Sequence, residues 1–493
     1  MLRKLRITLA CIFFIGITLL FLDFTGSIHS YLGWMAKVQF LPALLSLNFI
    51  IVAILLLLTF LFGRLYCSVI CPLGVLQDII AWIGRKAKRN RYTYSPAKQW
   101  LRIGVLVVFI IALIAGVGVI PAILAPYSSY GRIVASVFAP LYYAINNLLA
   151  LGAERLDSYA FYSTDIWLQG ISTLVISLVT LFTLAILAWR NGRTYCNTIC
   201  PVGTVLGFIS RFSLFVPQID TNKCNGCTRC ARNCKAACID AKNHSIDYSR
   251  CVMCMDCIDN CSQNAISYRR RSYQTSTTPS TNNKVDKSRR GFLAITALLA
   301  ATPLANAKKK GDGGLAVIEK KKIPQRNTRI VPPGAMSIRN MEQHCTACQL
   351  CVSACPNDVL RPSENIMTLM QPEASYERGY CRPECVKCST VCPTGAIKPI
   401  SVEDKSSTQI GHAVWIEENC LAARGVRCDN CFRHCPTGAI QMIEVASTGK
   451  RRSRKIPTID TERCIGCGAC ENLCPARPLS GIYVEGHRNH RTI

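Results

Sequence analysis

The chain has 493 residues, a length typical of about three domains. Of these residues, 50% are hydrophobic. Its 57 Lys and Arg residues against 29 Asp and Glu give a formal net charge of +28. The 30 cysteines stand in tight groups, which excludes a scattered disulfide scaffold. Neither C-x-x-C-H nor a strand-associated G-x-G-x-x-G sequence occurs, so c-type haem and a dinucleotide are not indicated.

Most apolar residues lie in the first part of the chain, in runs long enough to cross a membrane. We predict four spans, at roughly 7–22, 41–62, 101–124 and 166–189. Lys and Arg concentrate before the first run and between the second and third. The positive-inside rule therefore places the N-terminus, that loop and the residues after 190 in the cytoplasm. Because much of the positive charge lies beside predicted spans, nucleic-acid binding is not indicated.

A twelve-residue pattern, GRxYCxxICPxG, occurs after the second and the fourth predicted spans, at 63–74 and 192–203. Eight of the twelve positions are identical, which indicates two related halves. The loops supply four cysteines, which we call the CxxxCP cysteines: Cys67, Cys71, Cys196 and Cys200. They could be structural thiols, a redox-active dithiol set or ligands of a further metal cluster.

The segment from Cys224 to Cys261 contains two C-x2-C-x2-C-x3-C motifs, the spacing of bacterial ferredoxins that bind [4Fe–4S] clusters. Zinc sites share C-x2-C pairs, but zinc does not explain two consecutive three-cysteine loops with a trailing fourth cysteine. In two-cluster ferredoxins the fourth cysteine ligates the other cluster. The predicted ligand sets are Cys224, Cys227, Cys230 with Cys261, and Cys251, Cys254, Cys257 with Cys234. We expect Cys238, an extra cysteine, to be a packed or exposed thiol; it could replace Cys234 as the remote ligand, but the x3 spacing favours Cys234.

Residues 269–288 are rich in Ser, Thr, Asn and Arg and have too few apolar residues to form a core. Arg289 and Arg290 follow, then a weakly apolar run that closes in Ala-Asn-Ala at 305–307. This pattern resembles a twin-arginine export signal placed inside the chain. Cleavage after Ala307, an uncleaved anchor, and a basic linker with a surface helix all remain open.

Four further cysteine motifs occupy residues 308–493, and Pro follows the last cysteine of each. The second and third have first gaps of three and seven residues, but all four keep the C-x2-C-x3-C core. The predicted ligands are Cys345, Cys348, Cys351, Cys355; Cys381, Cys385, Cys388, Cys392; Cys420, Cys428, Cys431, Cys435; and Cys464, Cys467, Cys470, Cys474. We expect nested pairing, the first motif with the fourth and the second with the third; neighbour pairing is the alternative. Six clusters at about −2 each would lower the net charge to about +16.

The apolar runs, the CxxxCP loops and the two-cluster segment together resemble the NapH family of the periplasmic nitrate reductase system. The paired arginines followed by four cluster motifs resemble NapG and the related MauM ferredoxins. The two resemblances cover nearly the whole chain, as a natural fusion in that order. They imply a quinol dehydrogenase component that passes electrons from the quinone pool to a periplasmic reductase or cytochrome, such as nitrate reductase.

We therefore expect an α-helical membrane domain of four spans with a two-fold internal repeat, joined to α+β ferredoxin-like [4Fe–4S] modules. The predicted parts are a membrane domain (1–215), a cytoplasmic two-cluster domain (216–268), a linker with the signal or anchor (269–307) and a periplasmic four-cluster domain (308–493). The expected location is the bacterial inner membrane.

The predicted function is electron transfer from menaquinol or a related quinol through six [4Fe–4S] clusters, with one further site at the CxxxCP cysteines as a possibility. No residue for the quinol site can be named from the sequence. The competing hypothesis is a redox maturation factor for a periplasmic metalloenzyme. An ion-coupled oxidoreductase is disfavoured, because no predicted span carries the carboxylates that such coupling uses.

Overall fold

This computed structural model describes residues 2–23, 26–88, 92–155, 157, 162–164, 166, 170–271, 319–445 and 454–493. The signal-like stretch at 289–307 lies outside these residues, as does most of the predicted linker.

The membrane half is helical. Its longer helices are α1 (Leu2–Leu22), α2 (Phe49–Phe62), α3 (Pro72–Lys88), α4 (Gln99–Ala115), α5 (Pro126–Glu154, with a π-helical turn at Val134–Phe138), α6 (Ile171–Asn191) and α7 (Pro201–Ser210). Short helices lie at Ser27–Leu32, Trp34–Lys37, Phe40–Leu45, Tyr66–Val69, Val119–Leu124 and Thr194–Thr198. Within the described part of the chain, α1, α5 and α6 are long and apolar enough to cross a membrane.

Two of the four predicted spans are not single helices. The run at 41–62 is interrupted because Leu47 has a positive φ of 55° and Asn48 caps the start of α2, accepting a hydrogen bond from the Ile51 N–H. The run at 101–124 is interrupted because Gly116 adopts the left-handed conformation that ends α4. Both α2 and α4 are therefore shorter than the predicted runs. We did not predict α5 as a span, since its first turns contain buried polar side chains that lower its hydropathy.

Each CxxxCP loop is followed by a helix that packs against the other half of the membrane domain. Pro72 and Pro201 begin α3 and α7, where a missing N–H costs no hydrogen bond. The α3 helix packs on α6, while α7 packs on α2 and α4. The two halves of the membrane domain therefore interlock instead of standing side by side.

The central domain is a small α+β unit docked on the membrane helices. Strand β1 (Phe215–Ile219) pairs antiparallel with β4 (Ile266–Arg270), and β2 (Ile239–Asp240) forms a hairpin with β3 (Ser245–Ile246). Phe215 of β1 stacks on Phe62 at the end of α2, with ring centroids 5.8 Å apart. Residues of this domain, among them Val216 and Met253, share one continuous hydrophobic core with the membrane helices.

The C-terminal domain is built around three two-stranded antiparallel sheets. They are β5 (Leu360–Pro362) with β6 (Pro372–Ala374), β7 (Thr408–Trp415) with β10 (Ile482–Thr492), and β8 (Ile440–Val445) with β9 (Arg454–Ile459). Helices at Ile338–His344 and Val402–Ser407 and single 3-10 turns at Ile366–Thr368 and Glu417–Asn419 complete it. Its own core contains Val331, Tyr376, Ile440 and Val484.

The two cysteine-rich domains contact opposite ends of α1. Near the start of α1, Arg3 donates to Asp256 at 2.9 Å and to Asp259 at 3.3 Å in the central domain. At its other end, α1 contacts the short helix Leu350–Ser353 of the C-terminal domain, and Phe21 and Leu350 belong to the same hydrophobic core. A helix of 21 residues is about 32 Å long, close to the roughly 30 Å hydrocarbon thickness of a bilayer.

His490 of β10 makes the C-terminal domain sensitive to acid. Both ring nitrogens are buried without a hydrogen-bond partner among the described residues. Burial, with a smaller contribution from His487, lowers the pKa of His490 to about 4. Below pH 6.5 this histidine binds a proton in the unfolded chain but stays neutral in the folded chain. Acid therefore lowers the free energy of unfolding until the pH falls to about 4, where the histidine of the folded chain also binds a proton.

Because of this residue, we expect the free energy of unfolding of the purified holoprotein to fall by about 1 kcal/mol between pH 7.5 and pH 5.5. His490→Phe should remove that part of the pH dependence, as measured by thermal unfolding at both pH values. Asn489→Gln, at the exposed neighbouring position, is the control. Equal pH dependence in the wild type and His490→Phe would contradict this assignment.

Candidate functional site

All six cysteine motifs have the same local structure at their third cysteine. In each, this cysteine lies on a helix of a single turn that begins directly after the cysteine loop. The helices are Arg229–Asn233, Asp256–Asp259, Leu350–Ser353, Lys387–Val391, Asn430–Arg433 and Ala469–Asn472. The short helix orients the third thiol toward the loop that carries the first two.

The four motifs with standard spacing also share an unusual backbone conformation. The residues immediately before and after the second cysteine have positive φ. They are Gly226 and Thr228, Met253 and Met255, Ala347 and Gln349, and Gly466 and Gly468. Alternating backbone handedness turns successive N–H groups toward one side, a conformation that binds anions. In one of these loops the Ala347 N–H donates to Cys345 Sγ at 3.4 Å.

In the central domain, cysteines from both motifs line two small cavities. The cavity cysteines are Cys224, Cys227, Cys230 and Cys261 for one, and Cys234, Cys238, Cys251, Cys254 and Cys257 for the other. Cys234 lies close enough to Cys254 and Cys257 to interact electrostatically with both. The two groupings match the predicted ligand sets, with Cys238 as an additional wall of the second cavity.

In the C-terminal domain the nested pairing that we expected is wrong. Cys355 of the first motif lines a cavity with Cys381, Cys385 and Cys388 of the second. Conversely, Cys392 is an electrostatic neighbour of Cys345, Cys348 and Cys351. The third and fourth motifs exchange their last cysteines in the same way. Cys474 of the fourth motif lies with Cys420, Cys428 and Cys431, and Cys435 of the third motif lies with Cys464 and Cys467.

A β-hairpin explains the neighbour pairing. The β2–β3 hairpin lies between the two central motifs, β5–β6 between the first two C-terminal motifs and β8–β9 between the last two. Each hairpin reverses the chain, so that the next motif returns beside the one before it. The pairing therefore depends on a short local connection, and the length of the first cysteine gap has no influence on it.

The arrangement of the thiols fits [4Fe–4S] clusters better than single ions. Across the described ranges, no three His, Cys, Asp or Glu side chains converge tightly enough to hold one metal ion. Cubane clusters instead present four separated irons to four cysteines. Backbone N–H groups also donate to thiols, from Ala265 to Cys261 and from Gly481 to Cys474, both at 3.3 Å. Such contacts stabilise the negative charge of a ligating sulfur.

The four CxxxCP cysteines meet in the interior of the membrane domain. All four are buried, and Cys67, Cys71 and Cys196 interact electrostatically with Cys200. The two loops have the same local geometry, since the N–H groups of Cys71 and Cys200 each donate at 3.0 Å to the carbonyl of the tyrosine five residues earlier. The structure therefore forms a single four-thiol centre from two loops that are separated by about 130 residues in sequence.

Two fully buried arginines hold the CxxxCP loops together. Arg64 of the first loop donates to the Cys196 carbonyl at 3.0 Å, and Arg193 of the second donates to the Cys67 carbonyl at 2.6 Å. Each guanidinium also lies about 4 Å from a thiol of its own loop, Arg64 from Cys67 at 3.8 Å and Arg193 from Cys196 at 4.0 Å. Each guanidinium therefore places a positive charge beside the thiols of the CxxxCP centre.

An ion network links this centre to the central domain. Asp78 of α3 pairs with Arg193 at 2.7 Å, Arg6 at 3.0 Å and Lys235 at 3.2 Å, and Lys235 pairs with Asp256 at 3.1 Å. Burial alone would raise the pKa of Asp78, but its three cationic partners lower it well below the usual range. Asp78 therefore stays ionised. Sequence reasoning missed this network, although the repeated Gly-Arg before each CxxxCP cysteine pair was a usable signal for Arg64 and Arg193.

The C-terminal domain approaches the CxxxCP centre from the other side. Gly131 of α5 lies so close to the Cys348 carbonyl that a Cβ there would be 2.4 Å from the oxygen. Arg132 is fully buried and interacts electrostatically with both Cys348 and Tyr195. Tyr195 in turn neighbours Cys196 and Cys200. A short series of buried side chains thus connects the two sets of thiols.

Comparison with known families agrees with these sites. A model described as a 4Fe-4S binding domain matches residues 46–91 and again residues 173–218, each match containing one CxxxCP loop. A 4Fe-4S dicluster domain matches residues 424–477. No solved structure matches the chain. The fold and the cysteine sites define a ferredoxin-type iron–sulfur protein with apolar helices fit for a membrane.

Curated relatives narrow this class. The chain is 32% identical over 165 residues to the methylamine utilization ferredoxin-type protein MauM of Methylobacillus flagellatus, covering 33% of this chain and 70% of the relative. It is also 32% identical over 177 residues to the ferredoxin-type protein NapG of Escherichia coli, covering 33% of this chain and 75% of the relative. Through this third of its length, the chain belongs to the family of NapG and MauM ferredoxin-type proteins.

The central domain offers a test of ligand assignment. The thiols of Cys234 and Cys238 lie 3.5 Å apart and share a hydrogen bond. This hydrogen bond, together with the N–H groups of residues 236–238, lowers the pKa of Cys234 to about 7. We expect Cys234→Ser to remove about four irons per protein, whereas Cys238→Ser keeps the iron content. Iron analysis and EPR spectra of the reduced proteins measure this. Equal iron loss in both variants would show that Cys238 is also a ligand.

Proposed function

We propose that the protein oxidises quinol within its membrane half and passes the electrons, one at a time, to a periplasmic reductase such as nitrate reductase. The observation that carries this proposal is the placement of the thiol groups. The CxxxCP centre lies between the central domain at one end of α1 and the C-terminal domain at the other. When bound, [4Fe–4S] clusters accept and release single electrons.

The proposed topology has the central domain in the cytoplasm and the C-terminal domain in the periplasm of a bacterial inner membrane. The length of α1 supports this topology. The central domain contacts one end of α1 and the C-terminal domain contacts the other, and these ends are about a bilayer's thickness apart. The paired arginines at 289 and 290 support it too, since a twin-arginine signal exports domains that have already folded with their cofactors. On this view the chain is a natural fusion of a NapH-like and a NapG-like part.

We also propose that Cys67, Cys71, Cys196 and Cys200 hold a metal centre that joins the two sides. The double match to a 4Fe-4S binding domain supports this, as do the reciprocal contacts of Arg64 and Arg193. The two guanidinium groups offset the negative charge that four thiolates bring into an apolar interior. The Gly203 N–H, at the start of α7, donates to Cys200 Sγ at 3.3 Å and adds to this stabilisation.

A double substitution tests the CxxxCP centre. We expect Cys67→Ala with Cys196→Ala to lower the iron content of the purified protein, by about four atoms if the centre is a cubane. Cys11→Ala, at an exposed cysteine of α1, is the matched control and should leave the iron content unchanged. An unchanged iron content in the double variant would exclude iron at the CxxxCP cysteines.

Reduction kinetics test the electron path. Menaquinol analogue added to the wild-type holoprotein should bleach the absorbance of all clusters, as followed by stopped-flow spectroscopy near 400 nm. In the Cys67→Ala, Cys196→Ala variant we expect roughly two thirds of that amplitude to disappear, because four of six predicted clusters would lie beyond the broken connection. Wild-type protein with no cluster reduction by quinol would refute quinol oxidation and would favour a maturation role.

A further inference from the structure

A large cleft opens between α1, α3 and the central domain. Its volume is about 520 Å³, which is within the range of small-molecule sites and large enough for a quinone ring with the start of its isoprenoid tail. The mechanism described so far does not use this cleft. It contacts none of the cysteines assigned to the clusters, although it lies beside two groups of them.

One half of the cleft is apolar and open to the surroundings of the helices. It is lined by Ile7, Ala10, Phe14, Ile15, Ile79 and Trp82. Ile15 and Trp82 are each more than half exposed, on faces of helices that would lie against lipid. A hydrophobic tail could therefore enter from the bilayer without crossing water.

The other half of the cleft is polar. Three of its four cations are ion-paired, Arg6 and Lys235 with Asp78 and Arg3 with Asp256, and Arg85 is the fourth. Cations already paired with carboxylates are poor anchors for a lipid phosphate. A neutral headgroup with carbonyl or hydroxyl oxygens suits this half better, because the paired side chains of Arg6 and Asp256 line it and can share hydrogen bonds with such oxygens.

The polar half shares a wall with the second cysteine cavity of the central domain. Asp256 lies between Cys254 and Cys257 in sequence and lines both spaces. Lys235 follows Cys234 directly and also lines the cleft. On its other side, Asp78 connects through Arg193 to the CxxxCP loops. A redox-active ligand in this cleft would lie next to both thiol centres at once.

We propose that this cleft is the quinol-binding site, an inference that rests on the proposed function and gives it a location. Each quinol bound there loses two electrons and two protons and leaves as quinone. The neighbouring cysteines would hold [4Fe–4S] clusters, which would supply the one-electron acceptors for both electrons. Because Asp78 is ion-paired on three sides, the protons pass to water at the polar mouth, where Arg3 and Asp259 are partly exposed.

Binding of a quinol analogue tests the site without reference to turnover. The probe is 2-heptyl-4-hydroxyquinoline N-oxide, whose fluorescence is quenched when it binds, titrated into the full-length holoprotein. Ala10→Phe fills the apolar half and should weaken binding at least tenfold. Arg6→Lys keeps a positive charge for Asp78 but removes the guanidinium that lines the polar half, and should weaken binding about threefold to tenfold. Ile12→Phe, on the exposed face of α1 outside the cleft, should bind as the wild type does.

Two outcomes separate failure of the site from failure of the function. If quinol reduces the clusters of wild type and Ala10→Phe at the same rate and both bind the probe equally, the cleft is not the quinol site and quinol oxidation occurs elsewhere. If the wild type is neither reduced by quinol nor able to bind the probe, the proposed function fails together with the site. A phospholipid that co-purifies in the cleft and resists displacement by the probe would also overturn the inference. Iron content confirms that each variant is folded.

Discussion

The membrane half depends on the exchange of two buried arginines between the CxxxCP loops. Arg64 and Arg193 each cross to a cysteine carbonyl of the opposite loop, which fixes the distance between the loops. A guanidinium in such an interior is costly unless its donors are satisfied and its charge is balanced. Backbone carbonyls accept hydrogen bonds from both guanidinium groups, and Asp78 balances the charge of Arg193. Removing either arginine would leave thiols and carbonyls facing one another with nothing between them.

The same arginines attach the central domain. Arg64 also donates to the Ser249 carbonyl at 3.2 Å, two residues before Cys251. The backbone N–H of Arg193 donates to the Lys235 carbonyl at 2.7 Å, one residue after Cys234. Both contacts therefore lie beside ligands predicted for the same central cluster. The geometry of the CxxxCP centre and of that cluster is set by one group of hydrogen bonds, so neither can shift without the other.

Sequence reasoning came closest where structure follows from local spacing. The cysteine spacing predicted two ligand sets in the central domain, and the cysteines of each set line one cavity. It was wrong on pairing in the C-terminal domain, because the gap lengths carried no information while the hairpins between motifs did. Sequence reasoning also overestimated the lengths of two spans. Asn48 caps the start of α2 and a left-handed Gly116 ends α4, so both helices are shorter than hydropathy alone indicates. Asp78 and Arg6 could not be foreseen, because their partners lie far away in sequence.

The position of the cleft explains why a cluster pair would remain on the cytoplasmic side of a relay that runs outward. On the proposed function, a quinol beside both Asp256 and Asp78 would lie between the second group of central cysteines and the CxxxCP cysteines. The two electrons of one quinol would then have two separate acceptors within reach, one on each side. The central pair would serve as a local store for one electron while the other moved outward through the CxxxCP centre. With this division the quinol can leave fully oxidised even when only one electron at a time passes to the C-terminal domain.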